Sequence, residues 1–273
     1  MKSINCKGRL IDLTTPQVMG ILNLTPDSFY DGGSYTDEKS ILKKVETMLN
    51  DGATFIDVGA YSSRPGADDL PVEEELQRLM PIIQAIVKEF PEVLLSIDTF
   101  RSKVARESIE AGAALINDIS AGKLDDKMLS TIAELQVPYI MMHMKGTPQT
   151  MKGLNHYEDL LKEVLFYFSE RIKAARDLGI NDLIIDPGFG FAKNISQNFE
   201  LLNKLEILRL PDISVLAGIS RKSMIYKTLK IDVTESLNGT TVLNTIALQK
   251  GVSILRVHDV KEAVEVVKLV NSL

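Results

Sequence analysis

The sequence contains a single cysteine, Cys6, in 273 residues, which excludes an internal disulfide framework. No stretch approaches the 18 or so consecutive apolar residues that a membrane-spanning helix requires. Met1 is followed by Lys2 and polar residues, not by the apolar core of a secretory signal. We therefore expect a cytoplasmic protein that does not enter a membrane, in which Cys6 is structural or incidental.

Histidine and positive charge are also scarce. The three histidines, at positions 143, 156 and 258, have neither an H-E-x-x-H motif nor any other tight ligand spacing, which argues against a zinc site. With 31 Lys and Arg residues against 37 Asp and Glu residues, the formal net charge is −6. This balance argues against nucleic acid as a partner, so a small molecule is the expected ligand.

The chain has enough apolar residues for a large core, because 45% of it is hydrophobic. It contains no low-complexity tract or linker that would separate two units. Residues 1–273 are therefore expected to form one domain.

Four segments share a pattern in which a glycine follows an amphipathic stretch and precedes a short apolar run that ends in a polar residue. They are Gly52–Asp57, Gly112–Asp118, Gly179–Asp186 and Gly251–Arg256. Glycine at such a position is typical of a helix C-cap, because it adopts the left-handed conformation without a Cβ penalty. The repeated unit is therefore a helix, its cap and a strand.

Eight candidate strands alternate with helical patterns along the chain. They lie near 17–22, 54–59, 93–98, 114–118, 138–142, 182–186, 213–218 and 252–257. Strands that alternate with helices form parallel sheets, and eight units in this length predict an α/β (β/α)₈ TIM barrel. An open doubly wound sheet is the alternative.

Polar residues end many of the predicted strands, at Asn23, Asp98, Asn117, Asp186 and Arg256. In a barrel the carboxyl ends of the strands carry the active site. Any one of these residues could be a turn or helix cap, but five together predict one shared site.

Two loops after the first strands carry further candidates. The loop 20–33 begins with Asn23, whose carbonyl oxygen suits a hard cation such as Mg²⁺ that keeps waters and binds substrate phosphates. The loop 59–66 offers the hydroxyls of Ser62 and Ser63 beside Arg64, which suit phosphate oxygens. A solvated surface loop is the alternative for this second segment.

The last strands add positive charge. Segment 218–223 leaves the seventh strand and enters a helix, so Ser220 or a neighbour is expected to cap that helix. Lys222 lies in this segment, and the eighth strand delivers Arg256 and His258 on one face. These three side chains predict a cationic patch at the barrel mouth.

The acidic and amide residues favour a different ligand group. Asp98, Asn117 and Asp186 can accept from and donate to a flat heterocycle with an amino-amide edge, such as a guanine-like or pterin-like ring. The two carboxylates could instead be an acid/base pair, and metal ligation is a third possibility.

From Gln17 to Asp259 the chain resembles the dihydropteroate synthase family. Six ordered blocks carry the resemblance: the Asn23 loop, the Arg64 loop, Ser96-Ile-Asp98-Thr-Phe, Asn117-Asp118-Ile, Asp186-Pro-Gly-Phe-Gly-Phe, and Ser220-Arg-Lys222-Ser with Arg256-Val-His258. The resemblance implies condensation of 6-hydroxymethyl-7,8-dihydropterin diphosphate with 4-aminobenzoate, giving 7,8-dihydropteroate and diphosphate. It also implies Mg²⁺ as cofactor and a homodimer.

The resemblance further implies a role for each matching residue. Asp98, Asn117, Asp186 and Lys222 would hold the pterin ring, while Asn23, Ser63, Arg256 and His258 would bind diphosphate with Mg²⁺. Asp31 and Arg64 would act from the two loops, and Pro65, Phe189 and Ser223 would contact aminobenzoate. The family chemistry is dissociative and needs no covalent nucleophile.

One departure from the family lies in the second loop. Many members have Gly-Gly-Glu-Ser-Thr where this chain has Gly59-Ala60-Tyr61-Ser62-Ser63. Ser63 keeps the hydroxyl, but Tyr61 changes the expected packing of the loop and the shape of the aminobenzoate or sulfonamide pocket.

Three rival functions share parts of this pattern. A pterin-binding methyltransferase domain that uses methyltetrahydrofolate would not need Arg64, Lys222, Arg256 and His258 for a diphosphate. A non-catalytic pterin-binding paralogue is disfavoured by the intact Asp31 and Arg64. A barrel aldolase expects a Schiff-base lysine at a strand end, and no lysine lies inside a predicted strand.

Overall fold

A computed structural model describes residues 2–24, 35–61 and 70–273. Its center is a closed barrel of eight parallel strands. The strands are Gln17–Asn23 (β3), Phe55–Gly59 (β4), Leu95–Asp98 (β5), Leu115–Asp118 (β6), Tyr139–Met142 (β7), Leu183–Asp186 (β8), Ser214–Ala217 (β9) and Ile254–Val257 (β10). Around the barrel they follow the order β10-β3-β4-β5-β6-β7-β8-β9. All eight predicted strands are present, so the (β/α)₈ barrel is confirmed and the open sheet is wrong.

Helices surround the barrel. Those in the described part of the chain are Tyr35–Asn50 (α1), Val72–Glu89 (α2), Ser102–Glu110 (α3), Met128–Leu135 (α4), Leu160–Asp177 (α5), Ile195–Asn203 (α6), Ser223–Leu229 (α7), Leu237–Gln249 (α8) and Val260–Val270 (α9). Within that part, no helix is both long and apolar enough to cross a membrane.

The strands form because their apolar residues are buried on both faces, as in parallel sheets covered by helices. Leu183, Ile184 and Ile185 of β8 are at most 2% exposed, and the strand ends where Asp186 is followed by proline and glycine. The four glycines of the repeated unit have φ angles of +99°, +108°, +81° and +90°, as their expected cap positions require. Helix, cap and strand therefore repeat as predicted.

An antiparallel hairpin that was not predicted precedes the barrel, formed by Ser3–Cys6 (β1) and Arg9–Asp12 (β2). Its buried Ile4, Cys6 and Ile11 pack with residues such as Met19 and Phe55 in a core at the amino end of the barrel. Burial raises the pKa of Cys6 to about 12, so the thiol stays protonated and unreactive. The hairpin leaves the opposite end of the barrel available to a ligand.

Candidate active site at the carboxyl ends of the barrel strands

The barrel brings the predicted strand-end residues to one rim. Asn23, Asp98 and Asp186 are the last residues of β3, β5 and β8, while Asn117 and Arg256 are next to last in β6 and β10. Asp98 lies directly beside Asn117 in the sheet register. The register therefore places an acidic residue and a carboxamide side by side.

Arg256 holds two carboxylates at the floor of this rim. Its Nε donates to Asp57 Oδ2 at 2.6 Å, and its Nη2 donates to Asp98 Oδ2 at 2.8 Å. Asn117 Nδ2 also donates to Asp57 Oδ2, at 3.1 Å. Arg256 was expected at the diphosphate alone, but the structure places its guanidinium against Asp98 of the predicted ring pocket and against Asp57.

Asp57 is a site residue that the sequence did not single out. It is fully buried within the strand Phe-Ile-Asp-Val-Gly, and its Oδ1 finds no hydrogen-bond partner among the described residues. A buried acceptor without a partner is destabilising by about 1–3 kcal/mol unless a ligand or water supplies a donor. The signal in the sequence was a carboxylate inside an otherwise apolar strand.

Asp98 has an altered protonation equilibrium. Burial is the largest cause, and it raises the pKa of Asp98 to about 7, while the positive charge of Arg256 opposes the shift and Asp57 adds to it. Asp98 therefore changes charge near neutral pH. Groups with this property are enriched at functional sites.

Lys222 lies at the other side of the rim, next to the loop 187–193 that follows β8. Its ammonium donates to the backbone carbonyl of Phe189 and lies 4.7 Å from the centroid of the Phe191 ring. Asp186 at the root of this loop accepts from Gly188 N at 2.8 Å. Burial lowers the pKa of Lys222 to about 8, and the charge of Asp186 opposes that shift.

The aromatic ring of Phe189 is fully buried in the main core, so only its backbone carbonyl reaches the site. Phe189 therefore exposes no side-chain surface to which aminobenzoate could bind. Ser223, a second expected contact, is half-buried at the first residue of α7. The N-cap residue of α7 is Lys222, two residues after Ser220, and its side chain makes no capping hydrogen bond.

His258 and Ser220 form a pair at the mouth. Ser220 Oγ lies 3.0 Å from His258 Nδ1 and accepts from His258 N at 3.2 Å. Surrounding protein, followed by the charges of Arg221 and Arg256, lowers the pKa of His258 below its usual range. His258 itself is exposed to solvent at the barrel mouth.

Asp31, Ser63, Arg64 and Pro65 lie outside the described residues. Tyr61, just before the second of these gaps, is buried and well packed. Its hydroxyl accepts from Gln149 Nε2 at 2.7 Å, its ring meets that of Phe100 edge to face at 5.1 Å, and Arg101 lies 5.2 Å from its centroid. Tyr61 therefore anchors the root of the second loop by aromatic and cationic contacts.

The described part of the rim offers few groups that could bind a metal. No group of three or more His, Cys, Asp or Glu side chains in the described ranges could enclose an ion. Asn23 is half-buried at the end of β3, and its carboxamide oxygen is a hard donor. A single such donor suits Mg²⁺ that arrives with phosphate oxygens and keeps several waters.

The rim thus combines an acidic floor, a cationic edge and one hard oxygen donor. A family model described as "Pterin binding enzyme" matches residues 19–258. The dihydropteroate synthase of Escherichia coli (strain K12) is 45% identical over 268 residues, which are 97% of this chain and 94% of that protein.

Solved structures agree with these sequence matches. The dihydropteroate synthase of Yersinia pestis in a sulfonamide drug complex has a TM-score of 0.92 and 40% identity, covering 99% of this chain and 98% of that one. The Xanthomonas albilineans dihydropteroate synthase with 4-aminobenzoic acid has a TM-score of 0.92 and 39% identity, covering 99% and 97%. With nearly complete coverage in sequence and structure, the chain belongs to the dihydropteroate synthase family of pterin-binding enzymes.

Proposed function

We propose that the protein condenses 6-hydroxymethyl-7,8-dihydropterin diphosphate with 4-aminobenzoate, giving 7,8-dihydropteroate and diphosphate in folate biosynthesis. The observation that carries this proposal is the meeting of Asp98, Asn117 and Asp186 with Lys222 and Arg256 at one end of the barrel. The first three suit the amino-amide edge of a pterin, and the two cations suit a leaving diphosphate. The relative from Xanthomonas albilineans was solved with 7,8-dihydropteroate.

The proposed mechanism is dissociative. The bond from the pterin methylene to the diphosphate oxygen breaks first, while Lys222 and Arg256 stabilise the negative charge that develops on the leaving group. The arylamine nitrogen then forms a bond to the methylene carbon and releases a proton. Asp98, Asn117 and Asp186 keep the ring oriented throughout, so no covalent nucleophile is needed.

Mg²⁺ is proposed as the cofactor, held by Asn23 together with the diphosphate. Bound there, the ion would neutralise charge on the phosphate oxygens. Ser63, Arg64 and His258 are proposed as further diphosphate contacts, and Asp31 as a residue of the first loop that acts in catalysis. Pro65 and Ser223 are proposed to contact aminobenzoate, and Phe189 to do so through its backbone because its ring is buried. A sulfonamide would compete for this position.

The decisive assay measures diphosphate release from the purified protein. We expect release that depends on both the pterin diphosphate and 4-aminobenzoate, and formation of dihydropteroate in equal amount. Release from the pterin diphosphate alone would indicate hydrolysis instead. Absence of release, with methyl transfer from methyltetrahydrofolate to a corrinoid protein, would establish the rival methyltransferase function.

We also propose a cytoplasmic homodimer. The support is a group of exposed apolar side chains on α8 and α9, where Val242 is 49% and Leu269 is 71% exposed. Ile246, on the same helix as Val242, packs partly against the barrel core. Sedimentation of the wild type and of Leu269→Glu tests the dimer, because a charge at this position should shift the protein to a monomer.

A further inference from the structure

Lys193 is a buried lysine that the proposed reaction does not use. It is 8% exposed, and its ammonium lies 2.9 Å from His143 Nδ1, 3.0 Å from the Gly188 carbonyl and 3.1 Å from the Phe191 carbonyl. An ammonium has three donors and here meets three acceptors, so its hydrogen-bonding capacity is complete. His143, at the end of β7, is 1% exposed and lies edge to face against Tyr167 at 4.8 Å.

The segment to which Lys193 donates contains several residues with positive φ angles. Gly188, Gly190 and Ala192 have φ angles of +69°, +81° and +48°, so three of five consecutive residues are left-handed. A non-glycine residue in this conformation is destabilised by roughly 1–2 kcal/mol, and a segment without regular structure must find partners for its carbonyls elsewhere. The loop 187–193 therefore depends on side chains for its shape.

Side chains from four directions supply those partners. Tyr157 donates to the Ala192 carbonyl at 3.0 Å, and Asn198 Nδ2 donates to the Lys193 carbonyl at 3.3 Å. Lys222 donates to the Phe189 carbonyl from the ligand side, while Lys193 holds Gly188 and Phe191 from the interior. The two lysines thus bind different carbonyls of the same loop.

The geometry of this loop relates Lys193 directly to Lys222. Lys193 fixes the carbonyls of residues 188 and 191, and between them lies the Phe189 carbonyl that receives the Lys222 ammonium. Phe191 contacts both lysines: its carbonyl accepts from Lys193, and its ring lies beneath the Lys222 ammonium. The buried ammonium therefore binds the backbone on both sides of the Phe189 carbonyl, at Gly188 and at Phe191.

We propose that Lys193 is a positioning residue, which acts through Lys222 by fixing the loop that holds the Lys222 amine at the pterin. Lys193 touches no reacting atom. The inference rests on the proposed function, since Lys222 is taken to contact the pterin. Burial lowers the pKa of Lys193 to about 7, and the charge of Asp186 opposes this shift.

A double-mutant cycle tests this proposal. The affinity of unphosphorylated 6-hydroxymethyl-dihydropterin is measured by calorimetry for the wild type, Lys193→Met, Lys222→Ala and the double variant. We expect Lys193→Met to weaken binding about tenfold in the wild-type background and less than about threefold in the Lys222→Ala background, because coupled residues are not additive. An equal loss in both backgrounds, or no loss in the first, would overturn the proposal.

Lys123→Met is the matched control. Lys123 also carries positive charge near His143, and its ammonium lies 4.4 Å from the Tyr167 centroid without a bond to the loop. Its loss should leave affinity unchanged. Lys193→Gln keeps N–H donors and should retain affinity within about threefold. Lys193→Leu, which also lacks donors, replaces Lys193→Met in the cycle if the latter does not fold.

The outcomes separate this inference from the proposed function. If the wild type does not bind the pterin, the proposed function fails. If it binds, and Lys222→Ala weakens binding while the cycle is additive, only the positioning role of Lys193 is wrong.

Discussion

The carboxylates of the site have different electrostatic surroundings, which separates their functions. Asp98 accepts from Arg256, whereas Asp186 accepts from the backbone N–H of Gly188. Burial raises the pKa of Asp186, and the nearby positive charge of Lys222 opposes this shift. A carboxylate that accepts from ring N–H groups cannot be replaced by an amide without placing one donor against another. Such an unpaired buried donor costs about 1–3 kcal/mol.

We therefore predict that Asp98→Asn and Asp186→Asn each weaken pterin binding at least tenfold, about 1.4 kcal/mol, while the fold stays intact. Asp182→Asn is the control, because Asp182 accepts from Asn5 N at the opposite end of the barrel. Calorimetry and circular dichroism give the affinity and the fold. Unchanged affinity in both site variants would show that the pterin binds elsewhere.

The pKa of Asp98 near 7 predicts a pH dependence of binding. Above this pKa the residue is a carboxylate that can accept from the pterin, and below it the protonated form loses that capacity, so affinity should fall as pH decreases through about 7. Removing the Arg256 charge should raise the pKa further. Titrations between pH 5.5 and 8.5 should give a midpoint that moves upward in Arg256→Ala; a flat profile would contradict the assignment.

At the scale of elements, the loop after β8 tolerates little change at Gly188. A Cβ at this position would lie 2.1 Å from the His143 carbonyl oxygen, and its φ of +69° is unfavourable for other residues. Gly179 has a similar φ of +81°, but nothing lies within 4 Å of the position of its Cβ. A comparison of alanine substitutions at the two glycines therefore distinguishes the effect of a steric clash from the effect of an unfavourable φ angle.

We predict that Gly179→Ala lowers the free energy of unfolding by roughly 1–2 kcal/mol through backbone strain alone. Gly188→Ala should lower it by clearly more and should also weaken pterin binding, because His143 and the loop must move apart. Urea unfolding and calorimetry measure the two effects. Equal destabilisation with equal affinity would show that the contact with His143 has no role.

The elements differ in how far the sequence predicts them. Barrel strands such as β8 were predictable because an apolar run ends at Asp186 before proline and glycine. The β1–β2 hairpin was not, since its strands, Ser-Ile-Asn-Cys and Arg-Leu-Ile-Asp, lack a continuous apolar run that ends at a turn signal. Its packing against Met19 and Phe55 becomes evident only when the barrel is closed.

The site shows the same division. The sequence predicted that Asp98, Asn117 and Asp186 meet, because each lies at the carboxyl end of an apolar run and parallel strands place these ends at the same edge of the sheet. The contact between Arg256 and Asp98 joins residues 158 positions apart, and the contact between Lys193 and His143 joins residues 50 positions apart. No local pattern encodes such pairs.

For the whole molecule, the barrel divides the site into a rigid floor and surrounding loops. The floor consists of strand residues whose backbone is fixed in the sheet, whereas Asp31, Arg64 and Pro65 belong to the long segments between β3 and α1 and between β4 and α2. Of the expected aminobenzoate contacts that the structure describes, Phe189 is fully buried and Ser223 is half-buried.

We predict that aminobenzoate binds poorly to the free protein and well once diphosphate and Mg²⁺ are present. If the loops with Asp31 and Arg64 complete the pocket over bound diphosphate, the two ligands share a coupling free energy, so aminobenzoate must tighten diphosphate binding by the same factor. Asp31→Ala should then reduce turnover strongly and barely change pterin affinity, because Asp31 is not part of the floor. Calorimetric titration of aminobenzoate with and without Mg-diphosphate measures the coupling. Equal affinity in both conditions would mean that the pocket is preformed and that the loops serve another step.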